Sequence, residues 1–225
     1  MALGNLIRYK RKQEVDAVYE QYEELGQQQE TYVLGMWTFL VTEIMFFGVL
    51  FVAYILYRWQ YQPYFFAVHE ELDYKMGALN TVNLLFSSFT MALAVHFAQL
   101  RKKKQQLLCL AITMGCAAVF MIIKYFEYAK KIEHGLLPGP NFVWTGEGVP
   151  ANVAQLFFSL YFCMTGLHGI HVVIGLFVIG GLAFMVATDH PAITDYVPTE
   201  MVGLYWHFVD LVWIFLYPLF YLMPR

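Results

Sequence analysis

Seven side chains able to carry charge or take up a proton stand in stretches otherwise too apolar for them: Glu43, Lys124, Glu127, His168, His171, His207 and Asp210. Such groups cost free energy in hydrocarbon unless they meet protein or water, so each is a candidate for chemistry. Glu43 has Phe39, Phe46, Phe47 and Leu50 at helical spacing around it. An ionised carboxylate there loses its water, and another helix must supply a partner in compensation. Two roles are open for it: a carboxyl that handles protons, or a glutamic acid hydrogen-bonded to a neighbouring helix for packing. His168 with His171, and His207 with Asp210, are spaced i, i+3, which puts each pair on one helix face. These four are expected to form one buried polar cluster facing Glu43. Lys124 and Glu127 are one helical turn apart near the end of their apolar run. They read as an outer-interface pair, a lysine snorkelling to the headgroups with a local salt bridge.

Metal ligation does not suit these residues. A membrane cytochrome needs histidines facing each other across helices at repeated depths, and an oxygen-reducing core needs more histidines than stand here. A dicopper site needs a close cysteine pair. Cys109, Cys116 and Cys163 are far apart in sequence and lie in apolar runs, where cysteine acts as a small hydrophobe. No metal is assigned to the chain.

The elements that must position these groups are apolar runs of about 20 residues or more, the length needed to cross a bilayer as a helix. Five qualify: residues 32–57, 77–100, 106–128, 153–187 and 200–223. The fourth is long enough to cross tilted or to project past one surface. Pro63, Pro138, Pro140, Pro150, Pro191 and Pro198 punctuate the connections. Trp59, Tyr61, Tyr64, Phe65 and Phe66 cluster just past the first run, as in an interfacial aromatic belt. The expectation is an all-α integral membrane bundle of five transmembrane helices over 31–225, preceded by a polar segment over 1–30. Asn80, Asn83, Ser87 and Thr90 mark one side of the second helix as a packing face.

Composition agrees. Of 225 residues 59% are hydrophobic and 14% charged, against about 25% charged in soluble domains. A net charge of −3 argues against a nucleic-acid partner. Residues 8–30 have no apolar core or small-residue cleavage site and are not expected to serve as a signal peptide. Arg8, Lys10, Arg11, Lys12 and the run Arg101, Lys102, Lys103, Lys104 lie on one side of the bundle. Arg58, Lys75, Lys130, Lys131 and Arg225 lie on the other. This bias places the N-terminus in the cytoplasm and the C-terminus in the periplasm or outside.

Several segments resemble the subunit III family of haem–copper respiratory oxidases: TEIMFF at 42–47, LNTVNLLFSS at 79–88, KYFEY at 124–128, GLHGIHVVIG at 166–175 and YWHFVDLVWIFLY at 205–217. They occur in the family's order and touch all five helices; the last two are the most specific. The resemblance implies a metal-free accessory subunit of a proton-pumping cytochrome c oxidase, docked on subunit I with subunit II nearby. It implies haem and copper in those partner subunits, bound phospholipid, and a bacterial plasma (inner) membrane location. It also implies support of proton uptake and of the catalytic subunit's stability, with Glu43 as the family's buried carboxyl. The remaining six ionisable residues would be motif positions with structural or lipid-facing roles. Mitochondrial-type members have seven helices, and this chain has no room for the first two, which help to form the family's lipid cleft.

Related readings on the same scaffold are the third subunit of a quinol oxidase and an accessory protein of nitric oxide reductases. A reading of another class is an independent proton channel or transporter, suggested by the midplane carboxyl and histidines. Against it, no inverted repeat is apparent, and no spanning helix contains a proline before Pro218.

Overall fold

A computed structural model describes residues 21–22, 24–190, 193 and 195–222. Most of the polar segment expected over 1–30 lies outside these, with its basic residues, as do Pro191 and Arg225. Every regular element among the described residues is helical: α1 (Leu25–Gln60), α2 (Gln62–Val68), a 3₁₀ turn (His69–Glu71), α3 (Tyr74–Gln99), α4 (Lys103–Glu133), α5 (Ala151–Ala187) and α6 (Val197–Tyr221). All but α2 and the 3₁₀ turn are long and apolar enough to span a membrane. These are the five runs expected from sequence, the first beginning seven residues earlier.

Local chemistry sets the ends. Asp73 caps α3 by accepting from the backbone N–H of Lys75 at 3.0 Å and of Met76 at 3.4 Å. Pro198 occupies the first turn of α6, where its missing N–H is not needed. Helix α4 stops at Gly135, whose φ of 72° carries the chain out of the helix. The N–H of Leu136 then bonds back to Lys131 O at 3.0 Å. At the opposite end, α3 and α5 stop the same way on non-glycine residues, Arg101 (φ 56°) and Asp189 (φ 51°). Lys103 joins those two turns, reaching Asp189 Oδ2 at 2.6 Å and Ala187 O at 3.0 Å.

Helices α3, α4, α5 and α6 form a ring in which each packs on the next and α6 returns to α3. Helix α1 lies outside, against the α5–α6 seam. It runs parallel to α6, as a ladder of ring contacts demonstrates: Phe39 with Tyr205, Phe47 with Phe208, Phe51 with Phe215, and Tyr54 with Phe220. Close approach of α5 to α6 depends on Gly175, where a Cβ would come within 2.7 Å of the Trp206 ring.

Helix α5 has 37 residues, about 55 Å at 1.5 Å per residue, so it outruns a hydrocarbon core of about 30 Å. Its first turns, at the same end of the bundle as the last turns of α1, are capped. Phe157 meets Phe65 of α2 and Phe220, while Phe142 and Trp144 of the loop after α4 lie on Phe158. This corrects the aromatic-belt expectation for Phe65, which is fully buried. The N-terminal end of α5 offers apolar protein surface, and α2 covers it. Trp59, by contrast, is 81% exposed.

Candidate functional site

Two ionisable sites emerge where the helices meet. The first lies toward the capped end. Lys124, Glu127 and Lys131 fall at i, i+3 and i+7 on the inner face of α4, and only 7%, 3% and 6% of each residue is exposed. Glu127 Oε2 accepts from Lys124 Nζ at 2.9 Å. Its Oε1 accepts from Lys131 Nζ at 3.2 Å, from Tyr161 Oη at 2.8 Å and from Tyr221 Oη at 2.6 Å. A carboxylate offers about four acceptor positions, so Glu127 is saturated. Lys124 is saturated too, since besides Glu127 it donates to Tyr221 Oη at 2.9 Å and Tyr161 Oη at 3.3 Å. Its ammonium also lies 4.7 Å from the centre of the Trp213 ring.

This arrangement corrects the outer-interface expectation for Lys124 and Glu127. They do pair, but the lysine points into the bundle, because two tyrosines and a tryptophan from α5 and α6 give it a better shell than a headgroup would. Lys131, counted from sequence among the surface charges, belongs to the same hub. Its spacing from Lys124 and Glu127 was a usable signal. Nothing local marked Tyr161 or Tyr221.

The second site joins α1 to α5. His171 Nε2 lies 3.1 Å from Glu43 Oε2, with the side chains 15% and 19% exposed. His171 Nδ1 lies 2.8 Å from Leu167 O. A carbonyl oxygen only accepts, so Nδ1 carries a proton and donates it there. The contact between Nε2 and Oε2 then needs one further proton, on one atom or the other. Neutral imidazole facing a protonated carboxyl satisfies it, and so does imidazolium facing carboxylate. Both of these arrangements are net neutral and put one proton between the two facing atoms. Phe47 packs edge-on against the same imidazole, with ring centres 5.2 Å apart.

The other candidates do not join this pair, so the single cluster expected of the four residues is divided among seams. His168 is fully buried, flanked by Phe120 at 5.5 Å and Trp213 at 5.3 Å, and neither ring nitrogen has a hydrogen-bond partner. His207 Nδ1 meets Ser88 Oγ of α3 at 2.6 Å. Asp210 lies close to Ser88, but that hydroxyl is engaged by His207, and neither carboxyl oxygen has a hydrogen bond of ordinary geometry. The reason is angular. Residues three apart on a helix point about 60° from each other, enough at a seam to face different neighbours. Among the described residues, no three His, Cys, Asp or Glu side chains come together in a way that could hold a metal ion. Cys109 is buried, Cys163 is exposed, and all three cysteines are free thiols.

The polar stripe on α3 packs as the sequence suggests. Asn83 donates to Cys116 O at 2.7 Å, Thr90 meets Thr113 at 2.8 Å, and Ser87 accepts from Trp206 Nε1 at 2.9 Å.

Comparison with known proteins finds the family model "Cytochrome c oxidase subunit III" matching residues 149–224. Cytochrome c oxidase subunit 3 of Thermostichus vulcanus is 31% identical over 198 residues, covering 86% of this chain and 88% of that protein. A probable quinol oxidase subunit 3 of Staphylococcus aureus (strain USA300) is 26% identical over 192 residues, covering 84% and 88%.

Proposed function

The chain belongs to the cytochrome c oxidase subunit III family, and from that premise we propose that it is the accessory, non-catalytic third subunit of a proton-pumping terminal oxidase. It is a multi-pass protein of the bacterial plasma membrane, and its relatives serve cytochrome c and quinol oxidases alike. The reading places haem and copper in partner subunits, with subunit I as the main contact, subunit II beside it and phospholipid bound at the bundle surface. The basic Arg101–Lys104 turn supports an orientation with that end in the cytoplasm. Inward-turned Lys131 strengthens the bias, since it removes one charge from the opposite side. The bundle is one domain from residue 31 onward, and the polar N-terminal segment is cytoplasmic.

The observation that carries the role in proton handling is the one-proton pair Glu43–His171. Glu43 stands 18 residues from the first residue of α1, which has 36, so the pair lies near the middle of that helix. Both side chains are partly exposed, and the Tyr205 hydroxyl donates to His171 O at 3.0 Å beside them. The pair can pass a proton between carboxyl and imidazole with no change of net charge, and delivering that proton toward the catalytic subunit changes the charge by one unit; both steps suit a site that steadies proton delivery.

Glu43→Gln tests this. The amide can still donate to Nε2, so assembly and bundle stability should be kept, but the pair can no longer exchange the shared proton through its carboxyl. Proton uptake or activity over many turnovers should fall relative to the parent. Unchanged activity over thousands of turnovers would leave the pair a packing contact. The oxidase assignment has its own test, a reduced-minus-oxidised spectrum of the chain purified with its partners in mild detergent. An a-type haem signal supports a cytochrome c oxidase, and o- or b-type haem alone shifts the assignment to a quinol oxidase. Absence of haem from an intact preparation would count against both and favour an independent channel.

A further inference from the structure

The two ends of the bundle are finished differently. At one end α2 and the loop after α4 cap α5. At the other, the α3–α4 and α5–α6 connections border a groove of about 520 Å³. Arg101, Lys103 and Gln106 line part of it, and Met185, Val186 and Ile193 give it apolar surface. The charges at this end are unevenly satisfied. Lys103 is paired with Asp189 at 2.6 Å. Asp195 has both carboxyl oxygens engaged, one accepting from Gln29 Nε2 at 2.6 Å and the other from the Val197 N–H at 3.1 Å. Arg101, Lys102 and Lys104 are exposed and, among the described residues, have no ion-pair partner.

The chain enters α1 beside this groove. Gln29, in the second turn of α1, holds Asp195 of the groove wall. Tyr22 packs edge-on against Tyr32, with ring centres 6.4 Å apart. Tyr32 lies about 10 Å along α1 from its first residue, so the chain before the helix turns back beside it. Tyr32 also stands three residues from Gln29, on the same helix face. The segment that arrives there is strongly acidic. Residues 13–24 include Glu14, Asp16, Glu20, Glu23 and Glu24 and no base, with Val15, Ala17, Val18 and Tyr19 among them.

We infer that residues 14–20 of this chain dock on the Arg101–Lys104 turn, with Glu14 and Asp16 against Lys102 and Lys104 and their apolar neighbours over the groove. The reach is sufficient. Seven residues back from Gln21 extend up to about 23 Å, and the turn lies about two helix widths, roughly 20 Å, from α1 across the ring. Arg8, Lys10, Arg11 and Lys12 precede the acids, so the half of the segment nearest α1 is the half that complements the turn. A segment tethered this closely acts at roughly millimolar effective concentration, an advantage that a separate acidic partner lacks. Exposed ion pairs are individually weak, so the contact rests on several at once and is sensitive to salt. It covers this end of the ring above Gln106, whose amide donates to Thr199 Oγ1 at 3.0 Å. The inference concerns this chain alone and does not rest on the oxidase reading.

The test is zero-length cross-linking with a water-soluble carbodiimide, applied to the full chain purified with its partners in mild detergent and read by peptide mass spectrometry. Glu14 or Asp16 should link to Lys102 or Lys104. The Lys103–Asp189 pair is the internal control, since it should link whether or not the segment docks. In about 0.5 M salt the screening length falls to roughly 4 Å, and the segment links should drop at least fivefold. Absence of segment links where the control link forms overturns the inference, as do links from Glu14 and Asp16 to a partner subunit alone. A second measurement uses the double variant Lys102→Gln, Lys104→Gln, which removes two exposed charges and keeps Arg101 and Lys103 to hold the orientation. Trypsin should cut after Lys12 severalfold faster in this variant than in the parent. Equal cleavage rates overturn the inference as well.

Discussion

The buried hub makes a directional prediction about which of its members matters most. Replacing Glu127 by leucine removes four accepted hydrogen bonds at once and leaves the ammonium groups of Lys124 and Lys131 buried without a counter-charge. Breaking a buried pair from one side costs about 3–5 kcal/mol. Replacing Lys124 by methionine is milder, although it too removes a buried charge. Lys131 still pairs with Glu127, both tyrosine hydroxyls still donate to it, and the hub passes from one excess positive charge to none. The cost should then be about 1.5–3 kcal/mol, the range for a hydrogen bond to a charged group. Thermal unfolding in mild detergent, followed by tryptophan emission, measures both. In a chain of this size about 1 kcal/mol shifts the midpoint by roughly 2–4 °C, so Glu127→Leu should fall by roughly 10 °C and Lys124→Met by clearly less. The reasoning fails if Lys124→Met is as damaging as Glu127→Leu, or if both lie within a degree of the parent.

Two further outcomes follow from single contacts. His168→Phe keeps the ring packed between Phe120 and Trp213 and removes two unpartnered nitrogens, so the variant should be at least as stable as the parent. A drop of several degrees would mean that the imidazole has a hydrogen-bond partner. Gly175→Ala pushes a methyl into the Trp206 ring and should cost about 1–3 kcal/mol, whereas Gly169→Ala should cost nothing. Equal midpoints for the two alanine variants would show that α5 and α6 are not held as closely as described.

How far the sequence leads is clearest at particular residues. His171 and Glu43 were both visible as ionisable groups in apolar runs, yet nothing local said that they would meet. Their contact spans 128 positions and depends on α1 lying across the α5–α6 seam. His168, three residues away on the same helix, looks equally functional in sequence and is packed between two aromatic rings instead. The spacing of Lys124 and Glu127 predicts a pair, but the pair faces the bundle interior and not the headgroups. The i, i+3 spacing guarantees that they can touch; whether the lysine turns out to the headgroups or in to Tyr161 and Tyr221 depends on what the neighbouring helices present.

By itself the sequence determined the number, order and approximate ends of the membrane helices, the charge asymmetry of their connections and the family. Those properties follow from hydropathy, helix stop signals and short motifs, all of which act over a few turns of one helix. Tertiary structure alone decided the ring of α3 to α6, the position of α1 outside it and the cap on the N-terminal end of α5. It also decided which ionisable groups are satisfied. A buried charge takes whichever donors and acceptors the packing of several helices brings within about 3 Å, and that distance is not encoded in the spacing of any one of them.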